Sequence, residues 1–422
     1  MKKNKNARKI AKQKFSKRLT VLVLILPFIL SGCIFGVRKP SQSTQQQVAQ
    51  QNGGLFRSED YGVTWERVTT IYTAGEQKLS FDASNITTIA LDPQDNTAVY
   101  VGTQHDGVFY SYDYGEGWFN TLTQKGTVND IAVDPLRSCT IYAAIHNTIY
   151  KSEDCSRHWE PTYFESRAGQ FITALTVDGK RSNIVYAGTS GGSILKSTDY
   201  GWSWDVKVRL DDYIKDIIVQ NHHNPDILYA STQKKGVYRS GDQGEKWDTL
   251  MQLDVDQSEV DEEAIFLALV EKTEAKMRRK MNDEEYANFA RQYKYKKFAA
   301  LGGSALGMSL NSDKTVEDGI IYANRVGIHR LVWEKAADGL EGGIWKEIGL
   351  LTPKSTDTIY SVVVNPQNTK DVIYGTNNAL FHSLDGGVNW NISSLPTNFT
   401  AKFLEFSLDN KFLYLGAYQI GK

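Results

Sequence analysis

Short apolar runs alternate with polar turns along most of the chain, and the runs come in sets. A segment ending in Asp-Pro or its equivalent, as in ITTIALDP (86–93), VNDIAVDP (128–135) and YSVVVNP (360–366), is followed by one such as AVYVGT (98–103), IVYAGT (184–189) or ILYAST (227–232). A third segment, such as GVFYS (107–111) or GVYRS (236–240), comes next. Period-two alternation bounded by Gly, Asp, Asn and Pro predicts β-strands joined by tight turns.

Six of the third segments run into Ser-x-Asp-x-Gly-x-x-Trp. The marked positions are Ser58, Asp60, Gly62 and Trp65; Ser111, Asp113, Gly115 and Trp118; Ser152, Asp154 and Trp159, with Ser156 standing where glycine is expected. They continue with Ser197, Asp199, Gly201 and Trp204; Ser240, Asp242, Gly244 and Trp247; and Ser383, Asp385, Gly387 and Trp390. Such a segment suits a tight turn: carboxylate and hydroxyl satisfy backbone donors, glycine supplies a positive φ, and tryptophan packs its large face. With the strand after each turn, the unit has four strands, the pattern of a β-propeller blade.

The serines are separated by 53, 41, 45 and 43 residues and then by 143. The long gap holds a helical insertion and a further blade, ALGMSLN, GIIYANRV, GIHRLVWE and GGIWKEIG, in which Ala336–Gly342 replaces the turn motif. The chain enters its first blade at a third strand, GGLFRS, and ends on what read as a first and a second, AKFLEFSLD and KFLYLGAY. The expectation is therefore an all-β, seven-bladed propeller of four-stranded antiparallel blades over residues 53–422, closed by pairing of its N- and C-terminal strands.

Residues 252–300, between blades five and six, lose the alternation and gain Ala, Glu, Lys and Met. They predict two helices, 259–280 and 283–298, with acids at their starts and bases at their ends.

Composition changes the picture mainly at the N-terminus. The first twenty residues carry nine Lys or Arg and no acid, and an apolar run, Val21–Leu30, leads to Leu30-Ser31-Gly32-Cys33. The run is short for a membrane span and suits a signal segment. Its ending resembles the bacterial lipobox, which implies a lipoprotein signal peptide over residues 1–32, lipidation of Cys33 and anchoring to a bacterial membrane on its extracytoplasmic side. The lipidated Cys33 and a Gln-rich stretch then form a tether, residues 33–52, whose polar part spans roughly 20 Å as a flexible chain. Without the first twenty residues, 39 basic residues stand against 49 acidic ones, an acidic balance that argues against nucleic acid as a partner. With Cys33 committed to lipid, Cys139 and Cys155 remain, on loops that topology sends to one side of blade three, and a disulfide between them is expected.

The turn motif resembles the Asp-box, or BNR repeat, of sialidases, sortilin-type receptors and xyloglucanases. Together with the lipobox and the blade pattern, it is most similar to the photosystem II stability/assembly factor-like family. That resemblance implies a membrane-anchored scaffold or assembly factor in the cell envelope, with a protein or polypeptide client and no cofactor. A glycan-binding or glycosidase-like propeller is the alternative. No sialidase-type arginine cluster or other catalytic set is recognisable, no histidine or cysteine cluster suggests a metal, and the expectation is a protein that is not an enzyme. Asp130, Asp216 and Glu405 occupy matching positions on the first strands of blades three, five and one, and are candidate channel carboxylates. Tyr72, Phe81, Tyr163 and Phe164, on loops between blades, read as a recognition surface or as plugs.

Overall fold

A computed structural model describes residues 53–73, 79–219, 226–252, 303–308, 320–324, 327–335, 341–351, 358–365 and 367–420, with Glu274, Met277 and residues 279–281. Cys33, the tether and nearly all of the 252–300 insertion lie outside the described residues.

The chain forms seven four-stranded antiparallel sheets. Blade one combines Thr400–Phe406 and Leu413–Tyr418 with Leu55–Ser58 and Glu66–Arg67, so Leu55 pairs with Gly416 and Ser58 with Leu413. Blade two is Ile86–Asp92, Asp95–Thr103, Val108–Ser111 and Phe119–Thr121; blade three is Val128–Val133, Ile141–Ile145, Thr148–Ser152 and Glu160–Phe164. Blade four is Ile172–Val177, Val185–Thr189, Ser193–Ser197 and Asp205–Arg209; blade five is Ile214–Val219, Leu228–Thr232, Gly236–Ser240 and Asp248–Gln252. Blade six, without the turn motif, is Gly303–Met308, Ile320–Asn324, Gly327–Lys335 and Glu341–Ile348, and blade seven is Ser361–Asn365, Asn368–Gly375, Ala379–Ser383 and Asn391–Ser394. The first strands touch one another in sequence round the ring, and that of blade one meets that of blade two, which closes it. Closure leaves no broad sheet edge at the chain ends.

Each second strand lies between neighbouring blades and is buried on both faces, as in the unbroken burial of Ile141–Ile145, Val185–Thr189 and Leu228–Thr232. The requirement is apolar but thin. A Cβ placed on Gly188 would stand 2.5 Å from the side chain of Ile214 in the next blade, so glycine here sets how closely the blades approach. The tyrosine of each second strand (Tyr100, Tyr142, Tyr186, Tyr229, Tyr322, Tyr374, Tyr414) is among the largest fully buried side chains. Several of these span to the next blade: Tyr142, Tyr186 and Tyr414 donate to the carbonyls of Tyr200, Gln243 and Tyr114 at 2.9, 3.0 and 3.1 Å. The base before the turn serine reinforces the joint. Arg57 donates to Tyr114 O at 2.9 Å and pairs with Glu116 at 2.6 Å, and Lys196 donates to Gln243 O at 2.9 Å.

The six turn motifs share one geometry. The serine Oγ accepts from the backbone N–H four residues on, at 2.7–3.0 Å, and donates to the aspartate Oδ1 at 2.6–3.0 Å. The aspartate accepts the next N–H groups of the turn; those of His158 and Asn389 are the leading reasons that Asp154 and Asp385 are held down at about 2. In most motifs the indole donates back to the glycine carbonyl, as Trp204 does to Gly201 at 2.9 Å. The two residues after the aspartate both take positive φ, 63° and 80° at Tyr200 and Gly201. Ser156 holds the second of these positions at φ 66°, with a buried hydroxyl that has no hydrogen-bond partner among the described residues. Ser156→Gly should therefore stabilise the ring by about 1 kcal/mol, read as a raised thermal midpoint, because a left-handed backbone strains a side chain and an unpaired buried hydroxyl adds to the cost.

Cys139 and Cys155 form a disulfide across the base of the same turn, where Cys155 N–H also donates to Cys139 O at 3.2 Å. Of the four aromatics expected on loops, Phe81 is a buried plug stacked on Phe109 and Tyr72 is exposed, whereas Tyr163 and Phe164 belong to the fourth strand of blade three, the first half-buried and the second exposed.

Candidate functional site

The first strand of most blades carries a β-bulge near its start. The pairing skips Thr87, Asn129, Thr173, Lys215, Ser304 and Lys402. A bulge bends the strand and re-aims side chains, and seven first strands surround the axis, so these positions collect at one mouth of the ring. A cavity of about 200 Å³ opens there, lined by Asp130 and Asn129 of blade three, Lys215 and Asp216 of blade five, and Lys402 and Glu405 of blade one, with Thr88, Thr173 and Ser361 between them. The three carboxylates predicted from sequence thus line one space. The two lysines escaped the sequence reading. Their signal is that each falls at the bulge, one residue before the acid in Lys215-Asp216 and three before it in Lys402-Phe403-Leu404-Glu405.

Asp130 is built in. Its Oδ2 accepts from Leu175 N–H at 2.7 Å, and its Oδ1 from Ile131 N–H at 2.8 Å and Thr88 Oγ1 at 3.2 Å. Desolvation outweighs these bonds and, with the charge of Asp216, pushes Asp130 up to about 7. The same two causes push Glu405 to about 8. Lys402 is lowered to about 8, first by desolvation and then by Lys215, and its ammonium lies 3.8 Å from the centre of the Tyr418 ring. All these groups retain partial exposure to the channel, so they exchange protons with solvent although protein surrounds them. The mouth can donate and accept hydrogen bonds near neutral pH, and a protonated carboxyl beside a charged one is also the arrangement of a general acid–base pair.

No grouping of histidine, cysteine and acids able to hold a metal occurs among the described residues. Arg57 lies away from the mouth, committed to the clasp between blades one and two.

No family model matches the chain. Over 158 residues it is 26% identical to a xyloglucanase from Paenibacillus sp., a match covering 37% of this chain and 13% of that enzyme's length. Among solved structures, YCF48 from Cyanidioschyzon merolae superposes with a TM-score of 0.54 at 13% identity, covering 82% of this chain and 98% of that one. A second YCF48 structure, bound to D1 peptide, gives 0.51 at 12%, covering 80% and 94%. The GH74 xyloglucanase from Xanthomonas campestris gives 0.52 at 14%, covering 79% of this chain and 51% of that chain. At these identities the structural likenesses establish a shared propeller fold.

The comparisons correct one expectation. The lack of a recognisable catalytic set predicts a protein that is not an enzyme, yet the similar Paenibacillus protein is a xyloglucanase and two of the structural neighbours are GH74 propellers. Glycoside hydrolysis generally requires two suitably placed carboxyl groups and not an arginine cluster. Acids do converge here, so the missing arginines exclude nothing.

Proposed function

We propose that the ring is a docking scaffold that receives a polypeptide segment of a client complex at the channel mouth, acting as an assembly or stability factor. The observation that carries this reading is the mouth itself: five ionisable side chains from three blades around about 200 Å³, room for a side chain or chain end but small beside the ~300–1,000 Å³ of a typical ligand pocket. A propeller of this fold with a peptide partner, YCF48 bound to D1 peptide, supports it. Lipidation of Cys33 would hold the scaffold at the extracytoplasmic face of a bacterial envelope membrane, the lipobox-like Leu30–Cys33 being the support.

Photoreactive residues placed at position 402 and, as a control, at exposed Asp205 on an outer strand test this in intact cells. Capture of one defined polypeptide from 402 and not from 205 is the expected result; equal capture at both would refute docking at the mouth. Cys33→Ala should move the protein from the membrane to the soluble fraction, and unchanged membrane retention would remove the lipid anchor from the reading.

A second reading rests on a specific observation. Asp130 and Glu405 are raised to about 7 and 8 beside Asp216, which suits glycoside hydrolysis, and the Paenibacillus relative is a xyloglucanase. Release of reducing ends from xyloglucan by the purified ring, abolished in Asp130→Asn and Glu405→Gln, would put this reading in place of the first.

A further inference from the structure

A second cavity of about 190 Å³ lies far from the axis, at the joint between the turns of blades three and four, lined by Lys151, Glu153, Asp154, His158, Glu160 and Trp202. The turns beside it are held firmly. The Cys139–Cys155 disulfide fixes the base of the first, and Arg137 ties the two together by pairing with Glu153 at 3.2 Å while lying 4.6 Å from the centre of the Tyr200 ring. Trp202 follows the turn glycine of blade four, where the other motifs carry Val63, Glu116, Arg157, Glu245 and Val388, and it is 47% exposed. An indole left half in water at a rigid joint is a platform rather than a core residue.

The polar groups narrow what could occupy the cleft. Lys151 has a side chain only 1% exposed, and its ammonium stands 4.6 Å from the Trp202 ring. It is ion-paired with Glu153 at 2.8 Å, yet the buried ammonium makes no hydrogen bond among the described residues, although it carries three protons to donate. Pairing with Lys151 is the leading cause that holds Glu153 below the usual carboxylate range, and Asp154 is held at about 2, so both are acceptors at neutral pH. An anionic ligand would meet these carboxylates. A cationic one would compete with the lysine already seated against the indole. A neutral molecule with an apolar face for the tryptophan, hydroxyls for the carboxylates and oxygens for the ammonium satisfies every group.

We infer that the cleft between the turns of blades three and four is a binding site for a single pyranose unit of a neutral glycan. The sugar's C–H face stacks on Trp202, its hydroxyls donate to Glu153 and Glu160, and a ring or hydroxyl oxygen accepts from Lys151. This site is independent of the channel mouth and stands whether that mouth holds a peptide or cleaves a glycan. The efficiency usual for small ligands, applied to the about twelve non-hydrogen atoms of a hexose, gives a Kd on the order of 1 mM.

Isothermal titration of the full chain with cellotetraose, and separately with acetate and tetramethylammonium, is the test. Saturable binding of the tetrasaccharide, weakened at least ~10-fold in Trp202→Ala and largely kept in Trp202→Phe, is expected, with thermal midpoints confirming that both variants fold. The loss caused by Trp202→Ala should be the same in a Glu405→Gln background, which separates the cleft from the mouth. No tetrasaccharide binding, binding that Trp202→Ala does not weaken, or saturable binding of either small ion in its place would overturn the inference.

Discussion

Trp118→Ala is expected to destabilise the protein by about 3–5 kcal/mol, far more than the same change at Trp65 or Trp204. All three occupy the same place in the turn motif, and each donates its indole N–H to the preceding glycine carbonyl, at 3.1, 3.0 and 2.9 Å for Trp65, Trp118 and Trp204. Trp118 alone among them is fully buried. The cause is a short hairpin between blades one and two, Thr70–Ile71 with Leu79–Ser80, that folds over it. Trp118 N–H donates to Thr70 O at 2.9 Å, Tyr72 N–H donates to Trp118 O at 2.8 Å, and Phe81 meets the indole edge-on at 5.5 Å. The indole N–H also reaches Val68 O in blade one at 2.9 Å. Truncation would open a cavity at the joint beside the ring closure and leave that carbonyl without its donor. Chemical denaturation of the three alanine variants checks this, and equal losses at all three would show that the hairpin contributes nothing.

The second large effect is a pH dependence centred on the mouth. Glu405 is ordinarily ionised above about 4.5 in an unfolded chain but stays protonated in the ring up to about 8. The folded state therefore binds the proton more tightly, and the contribution of Glu405 to stability is full below pH 4.5 and lost progressively as pH rises towards 8. Asp130 acts in the same sense up to about 7. Lys402 has the opposite sign: its penalty is full below about 8 and is relieved as pH rises from there towards the ordinary lysine value of 10.5. Stability should fall from pH 5 to 8 and partly recover above it. Each pH unit over which a carboxyl stays protonated only in the folded state is worth ~1.4 kcal/mol at most, and because the channel admits water we expect about 2 kcal/mol from Glu405. Glu405→Gln should flatten the fall between pH 5 and 8, and Lys402→Met should remove the recovery. Asp216→Asn should lower the titration points of both Asp130 and Glu405, because its charge is the second cause of each shift. Denaturation midpoints across pH, with carboxyl titration by NMR, would decide, and a flat profile in the parent protein would refute the account.

Blade number, the ring closure through residues 53–58 and 411–418, and the motif-free sixth blade were legible in the sequence because strand alternation and turn chemistry are local: each residue's role depends on neighbours a few positions away. The three channel carboxylates could also be placed, since a repeated unit puts equal positions of different blades at equal radius. The lysines beside them were not found, because a bulge shifts the register by one residue and brings Lys215 and Lys402 into the lining. Function was the least legible. The motif aspartates and serines fold turns whatever the protein does, and an exclusion based on missing arginines did not survive comparison with xyloglucanases.

The chain by itself thus determined the architecture, through period-two alternation and a turn code that six of the seven blades read alone. Tertiary structure decided which members of a repeated set differ. Trp118 is buried while Trp65 and Trp204 are only half-buried, Phe81 is a plug while Phe164 is exposed, and Asp130 and Glu405 hold their protons. Burial and desolvation depend on atoms contributed by distant blades and inserted loops, and those atoms become neighbours only when the ring closes.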